Sequence, residues 1–105
     1  MKIRYTRSGG VAGIRTSIHI DCEKLPEKIA SMLDQHLKDA NIFHQPSIIP
    51  TKVPIADTFH HDLEITDGSR THRIQRDDSN ASSELQKLFD ALHKEAIRLK
   101  KKNPD

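Results

Sequence analysis

Apolar and polar residues alternate along much of this sequence, and this pattern restricts the fold more than any other feature. Ile3 and Tyr5 alternate with polar residues, and the even-numbered positions from Ala12 to Ile20 are apolar apart from a threonine. The segments 59–65 and 72–74 continue the pattern. Successive side chains of a β-strand point to opposite faces of the sheet, so the pattern predicts four half-buried strands.

Glycines separate the first two of these strands. A turn at Gly9-Gly10 predicts a hairpin in which Tyr5 lies opposite Ile14. That register keeps the apolar residues of both strands on one face of the sheet.

A second hairpin is predicted at Asp67-Gly68, because tight hairpin turns need residues that accept positive φ angles. This turn places Ile74 opposite His61 and pairs Arg73 with Asp62 on the solvent face. The opposite charges of that last pair favour the register.

Each predicted hairpin is followed by an amphipathic helix. The first begins near Pro26, and apolar residues recur in segment 25–40 at helical spacing. The second begins at a capping box of Ser83 and Gln86, with an apolar stripe from Leu85 to Leu99. The order ββαββα predicts one α+β domain over residues 1–105, a four-stranded antiparallel sheet with both helices packed on one face.

Composition and charge limit the cellular compartment and the partners that can be expected for this domain. The chain has a single cysteine, Cys22, so no internal disulfide is possible. No segment approaches the ~18 apolar residues of a membrane span, and the N-terminal residues have no apolar run typical of a signal peptide. The expectation is a cytoplasmic protein without membrane contact. A net charge of +2 does not by itself indicate a nucleic-acid partner.

Few residues are arranged for catalysis or metal binding. His60 and His61 are neighbours on a strand, so they point to opposite faces and cannot bind one ion together. Cys22 has no cysteine partner, and the carboxylates fall on predicted solvent faces or helix ends. We therefore expect no catalytic residues, no metal ligands, no cofactor and no enzymatic activity.

The glycines Gly9, Gly10 and Gly13 do not match G-x-G-x-x-G, and a strand rather than a helix follows them, which argues against a phosphate loop. As a hairpin tip they either form a simple turn or let bare backbone approach another molecule. The proline-rich segment 41–57 leaves two alternatives open as well. Its apolar residues either close the core or form an exposed binding patch, and they are Ile48, Ile49, Val53 and Ile55.

The segment TRSGGVAGIR resembles the signature of the emfourin family. The likeness continues through LPEKIASML, ANIFHQP and DTFHHDLEITDGSRTHRIQ, and the last helix matches in type. Only the glycine segment is specific. The family often has Phe at the position of Val11, and a more apolar second hairpin where this chain has His60 and His72.

The resemblance implies a bacterial, cytoplasmic inhibitor of thermolysin-like metalloproteases of the protealysin type. The chain would then be a monomer when free and would block the active-site cleft with exposed loops. The partner-binding residues expected on this basis are Arg7, Ser8, Gly9, Gly10, Val11, Gly13 and Arg15. Two alternatives are a non-inhibitory adaptor and a basic nucleic-acid-binding module, the latter using the last helix and a solvent face carrying Arg4, Arg15, Arg73 and Arg76.

Overall fold

The structure is a computed structural model that describes residues 1–10, 13, 15–49 and 58–102, the last three of these by their backbone alone. The six main elements follow the predicted order ββαββα. They are β1 (Lys2–Gly9), β2 (Thr16–Asp21), α1 (Glu27–Asp39), β3 (Phe59–Asp67), β4 (Arg70–Asp77) and α2 (Ser83–Lys102). Short 3₁₀ turns at Cys22–Lys24 and Ile42–His44 flank α1.

The four strands form one antiparallel sheet in the order β2-β1-β3-β4. Both helices cover the same face of this sheet, where they bury the alternate residues that the sequence pattern selects. The largest side chains of this core are Tyr5, Phe89, Ile3, Leu33, Leu63, Ile65, Ile74, Leu85, Leu88 and Leu92, all under 2 % exposed or at that limit. The predicted α+β class and the packing of both helices on one face are confirmed.

The register of the first hairpin differs from the prediction. Tyr5 lies opposite Ile18 rather than Ile14, and Arg7 lies opposite Thr16. The strands are joined by the longer segment 10–15 and not by a two-residue turn, so the pairing is displaced by four positions along β2. An even displacement leaves every side chain on its predicted face.

The second hairpin is displaced in the same way. Its last pair is Asp67 with Arg70, so the turn consists of residues 68 and 69, and His61 lies opposite Arg76 rather than Ile74. The expected ion pair still forms, because Arg73 reaches diagonally to Asp62 and donates from Nε to Oδ1 at 2.8 Å.

The helix starts are close to the expected positions. Pro26 occupies the N-cap of α1, and Glu27 follows in the first turn. The second helix is capped by Ser82 rather than Ser83, since the Leu85 N–H donates to Ser82 Oγ at 3.3 Å. In the part of the chain that the structure describes, no helix is long and apolar enough to cross a membrane.

The segment 45–49 runs along the outer edge of β4. Gln75 N–H donates to the Ser47 carbonyl at 2.8 Å, and Ile48 forms a parallel bridge with Gln75. Arg76 secures this segment from the buried side, donating to the Pro46 carbonyl at 2.6 Å, and it is only 3 % exposed. The expectation that Arg76 shares a solvent face with Arg73 is therefore wrong, because residues three apart on a strand point to opposite faces.

The described residues of the proline-rich segment 41–57 differ in their exposure to solvent. Ile42 is buried in the core, whereas Ile48 is 70 % exposed. The first part of the segment therefore both closes the core and covers the sheet edge. Val53 and Ile55 lie outside the described residues.

Candidate functional site

The glycine tip, defined here as residues 8–13, lies at the end of the sheet where β1 stops. Of its expected partner-binding residues the structure describes Ser8, Gly9, Gly10 and Gly13, while Val11 lies outside the described residues. Gly9 pairs with Phe59 across the sheet, so the tip sits beside the start of β3.

Gly9 and Gly10 are required by both conformation and space. Their φ angles are +99° and +76°, a region that residues with a side chain rarely adopt. A Cβ on Gly9 would lie 2.6 Å from the Thr58 carbonyl oxygen, and one on Gly10 would lie 2.8 Å from the Phe59 ring. The Gly10 N–H also donates to the Thr58 carbonyl at 3.3 Å. The backbone of Gly9 and Gly10 is therefore packed against the start of β3.

Gly13 differs from these two glycines. Its φ of +63° also favours glycine, but a Cβ at this position would meet nothing within 4 Å. Gly13 is exposed, so this part of the tip is open to a partner.

Phe59 is a site residue that sequence reasoning missed. The alternation places it on the helix-covered face, yet its side chain is 38 % exposed because it lies at the first position of β3. Its ring packs on Gly10, and the Arg7 guanidinium lies 5.2 Å from the ring centroid, within cation–π range. The signal that could have identified Phe59 is its pairing with Gly9. That pairing can be predicted only when the register of β1 with β3 is known.

Arg7 and Arg15, which were expected to flank the tip, lie on opposite sides of the sheet. Arg7 points toward α2, where its side chain is 12 % exposed and Nη2 donates to Asp90 at 3.0 Å. Arg7 Nε donates to the Tyr5 hydroxyl at 3.0 Å. Arg15 is exposed and lines the other face with Ser8. Arg15 is therefore available to an acidic partner, whereas Arg7 is engaged within the domain.

The face that the helices do not cover has a cavity of about 420 Å³ beside the tip. Ser8, Arg15 and His60 line it together with Asp62 and Ile48. The walls carry charges of both signs and an exposed apolar side chain, which is a suitable composition for the rim of a protein interface.

A buried polar cluster lies under the tip on the helix side. His61 Nδ1 is 2.7 Å from the Tyr5 hydroxyl, and His61 Nε2 is 2.7 Å from Asp78 Oδ1. The His61 ring stacks on Phe89 with centroids 4.4 Å apart. Tyr5 and His61 are only 1 % and 2 % exposed, so a substrate atom cannot reach them. This cluster can hold protons and orient backbone, and it is not arranged for catalysis.

Burial controls the protonation of this cluster. It raises the pKa of Tyr5 to about 12. It also lowers the pKa of His61, by more than the hydrogen bond to Asp78 raises it. Burial alone would raise the pKa of Asp78, but the hydrogen bonds from His61 and from the Phe59 N–H outweigh it, so that pKa is lowered. At neutral pH the cluster therefore contains a neutral imidazole and an ionised carboxylate.

Several other titratable residues have structural partners. The expectation that every carboxylate faces solvent or ends a helix is wrong for Asp77 and Glu95, which are 3 % and 6 % exposed and bind Ser79 and Arg98. His72 donates from Nε2 to the Gln45 carbonyl at 2.7 Å, as a hydrogen-bonded histidine at the edge of the core. Within the described residues, no group of three or more potential ligands could hold a metal ion.

The fold and the site together define a small α+β domain that displays glycines packed on β3 and an exposed aromatic side chain, with Tyr5 and His61 buried behind them. The sequence model of the Emfourin family matches residues 5–93, and the chain belongs to this family. Emfourin family members are inhibitors and not enzymes, which agrees with the expectation that the chain is not an enzyme.

Among solved structures, the chain is similar to Emfourin (M4in) from Serratia proteamaculans, an M4 family peptidase inhibitor. The two sequences are 18% identical over 86% of each chain, with a TM-score of 0.48. No curated protein matches the chain at a significant level.

Proposed function

We propose that this protein inhibits thermolysin-like zinc metalloproteases of the protealysin type by placing its glycine tip in or against the active-site cleft. Membership of the Emfourin family carries this proposal, since the matched residues 5–93 include the tip. The tip geometry supports it, because Gly13 is open to approach and Gly9 and Gly10 are fixed on β3.

A fixed tip is an advantage for an inhibitor. Ordering a loop on binding costs free energy, so a loop that is already held in its bound form loses less on association. The backbone of Gly10 is held by Thr58 and by the Phe59 ring before any partner arrives. The exposed Phe59 ring adds apolar area beside the tip, and such aromatic side chains often contribute most of the binding energy of an interface.

The direct test is a titration of the purified protein into a thermolysin-like protease, followed by cleavage of a peptide substrate. Loss of activity at a stoichiometric ratio is the expected result, and full activity at excess protein would overturn the proposal. Parallel titrations into a serine protease and a cysteine protease, in which activity is unaffected, establish the class of target.

A matched pair of variants locates the contact surface. Ser8→Trp adds bulk on the glycine tip, and Ser69→Trp adds the same bulk at the exposed turn at the other end of the sheet. We expect Ser8→Trp to raise the inhibition constant at least tenfold and Ser69→Trp to leave it unchanged. Equal inhibition by the two variants would exclude the tip from the interface.

We also propose that the free protein is a cytoplasmic monomer. The single cysteine supports a reducing compartment. The large exposed apolar side chains of the described residues lie on separate elements, as Met32, Ile48, Phe59 and Ile97. Light scattering at micromolar concentration should give the mass of one chain, and the mass of two would contradict this part of the proposal.

A further inference from the structure

We propose that His61 is the positioning residue of the glycine tip: it joins two sets of contacts that hold Phe59 and Gly10 in the binding conformation, and its protonation weakens the set that runs through Tyr5 and Arg7. The inference rests on the proposed inhibitory function and adds a regulation by pH to it. Two paths of contacts lead from His61 to the tip, one through Asp78 and one through Tyr5.

The first path runs through a carboxylate. Asp78 accepts from His61 on Oδ1 at 2.7 Å, and its Oδ2 accepts from the Phe59 N–H at 3.1 Å. The same Oδ2 accepts from Thr58 Oγ1 at 3.3 Å, and the Thr58 carbonyl accepts from the Gly10 N–H at 3.3 Å. Asp78 thus ties the imidazole to the backbone that carries the tip.

The second path runs through side chains of β1. The Tyr5 hydroxyl lies 2.7 Å from His61 Nδ1 and accepts from Arg7 Nε at 3.0 Å. The Arg7 guanidinium lies over the Phe59 ring, and that ring packs on Gly10. Both paths therefore end at the contact between Phe59 and Gly10.

The donor and acceptor capacities of these side chains determine where the hydrogens lie between Arg7, Tyr5 and His61. Arginine only donates, so the Tyr5 oxygen accepts from Arg7 and its own O–H donates to His61 Nδ1. His61 then carries its hydrogen on Nε2 and donates to Asp78. A second proton on His61 would occupy Nδ1, where it faces the O–H of Tyr5. The Tyr5 O–H then has no acceptor in a position that is 1 % exposed, which weakens the second path, whereas the charged imidazole keeps its bond to Asp78.

The groups around His61 determine how far the pH must fall before this proton is taken up. They are Tyr5 and Arg7 on β1, Arg76 on the neighbouring strand β4, Asp78 after β4, and Phe89 and Asp90 on α2. Arg7 and above all burial oppose protonation, whereas the two carboxylates favour it, and the net result is a pKa of His61 below its usual range. Protease binding that needs the neutral form must lower this pKa further, because binding and protonation are reciprocally linked.

The first experiment follows the native protein by NMR while the pH is lowered. The His61 ring signals and the Gly10 amide signal should shift with one common midpoint, and the Gly68 amide at the opposite turn should not follow that step. An unchanged Gly10 signal during the His61 titration would overturn the inference. Global unfolding of the chain in the same step would also overturn it, since His61 would then be merely structural.

The second experiment measures the inhibition constant of the wild-type protein, His61→Gln and the control His72→Gln from pH 8 to pH 5. The ratio of wild-type to His61→Gln values cancels the pH dependence of the protease itself. This ratio should rise toward acid by up to about tenfold per pH unit, the limit for one linked proton. His72→Gln should keep the wild-type profile, and a constant ratio for His61→Gln would contradict the proposal.

Tyr5→Phe provides the same test if His61→Gln does not fold. It removes the hydroxyl of the second path and keeps the ring that stacks on Phe89. We expect a higher inhibition constant with a weaker acid step, and an unchanged profile would count against His61. A wild-type protein that inhibits no metalloprotease at any pH would refute the proposed function alone, because the NMR coupling of His61 with Gly10 is measured without a protease.

Discussion

The two ends of the sheet contain the same components in different arrangements. Each end has a glycine at a turn and an arginine over a phenylalanine ring: Arg7 with Phe59 beside Gly10, and Arg70 with Phe43 near Gly68. The Arg7 side chain is 12 % exposed and binds both Tyr5 and Asp90, whereas the Arg70 side chain is 62 % exposed and forms an ion pair with Asp67 at 3.4 Å. The arginine of the first pair is thus built into the domain, whereas the arginine of the second lies on the surface.

The glycines show the same contrast. A Cβ on Gly68 would meet nothing within 4 Å, so this glycine serves the positive φ of a turn. Gly9 has backbone at 2.6 Å in addition to its positive φ. A glycine that makes a turn and a glycine that attaches backbone to a neighbouring strand can look alike in the sequence.

The largest difference between the two ends should appear on adding one methyl group. Gly9→Ala meets the Thr58 carbonyl and has a strained φ, so we expect a loss of about 3 kcal/mol in the free energy of unfolding. Gly68→Ala has only the cost of a positive φ, about 1 kcal/mol. Urea denaturation measures both values, and equal losses would show that Gly9 is not held against β3.

Removing the phenylalanine ring at each end of the sheet should affect inhibition to different extents. Phe59→Ala is expected to weaken inhibition by about 2 kcal/mol, or roughly thirtyfold, as for a central interface residue. Phe43→Ala should leave inhibition within about threefold, although it removes a side chain packed against the core. Inhibition constants are compared at a temperature where both variants are folded by circular dichroism. A larger loss for Phe43→Ala would place the interface at the other end of the sheet.

Acidification should lower the free energy of unfolding through the protonation of His61. The pKa of His61 is lowered in the folded protein, so its contribution to stability is complete above about pH 6.5 and is lost as the pH falls toward the folded pKa. The free energy of unfolding should fall by at most about 1.4 kcal/mol per pH unit in this window. Denaturation of the wild-type protein and of His61→Gln between pH 7 and pH 5 isolates this contribution, and parallel curves would rule it out.

The smallest expected effect comes from exchanging the arginines. Lysine cannot reproduce the forked contacts of Arg7 with Tyr5 and Asp90, so Arg7→Lys should cost about 1 kcal/mol of stability and weaken inhibition several-fold. Arg70→Lys at the exposed pair should stay within about 0.5 kcal/mol of wild type. Thermal unfolding of the two variants measures both losses. A larger loss for Arg70→Lys than for Arg7→Lys would contradict this prediction.

The sequence pattern was sufficient for the elements and their faces but not for their pairing. Ile18 and Ile74 are buried as predicted, since alternation fixes the face of each residue. Their partners were wrong by even numbers of residues, because apolar patterning cannot distinguish registers that preserve the face. The actual registers depend on the segment 10–15 and on the turn at 68 and 69, whose lengths the pattern does not specify.

The candidate site was predictable only in part. The glycine signature identified the tip, because its residues are adjacent in the sequence. The roles of Phe59 and His61 depend on contacts with Gly10 and Tyr5, which are about fifty residues away along the chain and are brought close by the pairing of β1 with β3. An alternation pattern gives both residues the same face and cannot show that one is exposed and the other buried.

The short parallel bridge between Ile48 and Gln75 has a consequence for the solution behaviour of the protein. An open outer strand invites strands of other molecules to add to it, which leads to aggregates. Here the backbone N–H of Gln75 already donates to the Ser47 carbonyl, so this position on the outer edge of β4 cannot pair with another molecule. Because Arg76 secures this cover from inside, its loss should expose the edge of β4 and make the protein aggregate more readily on storage.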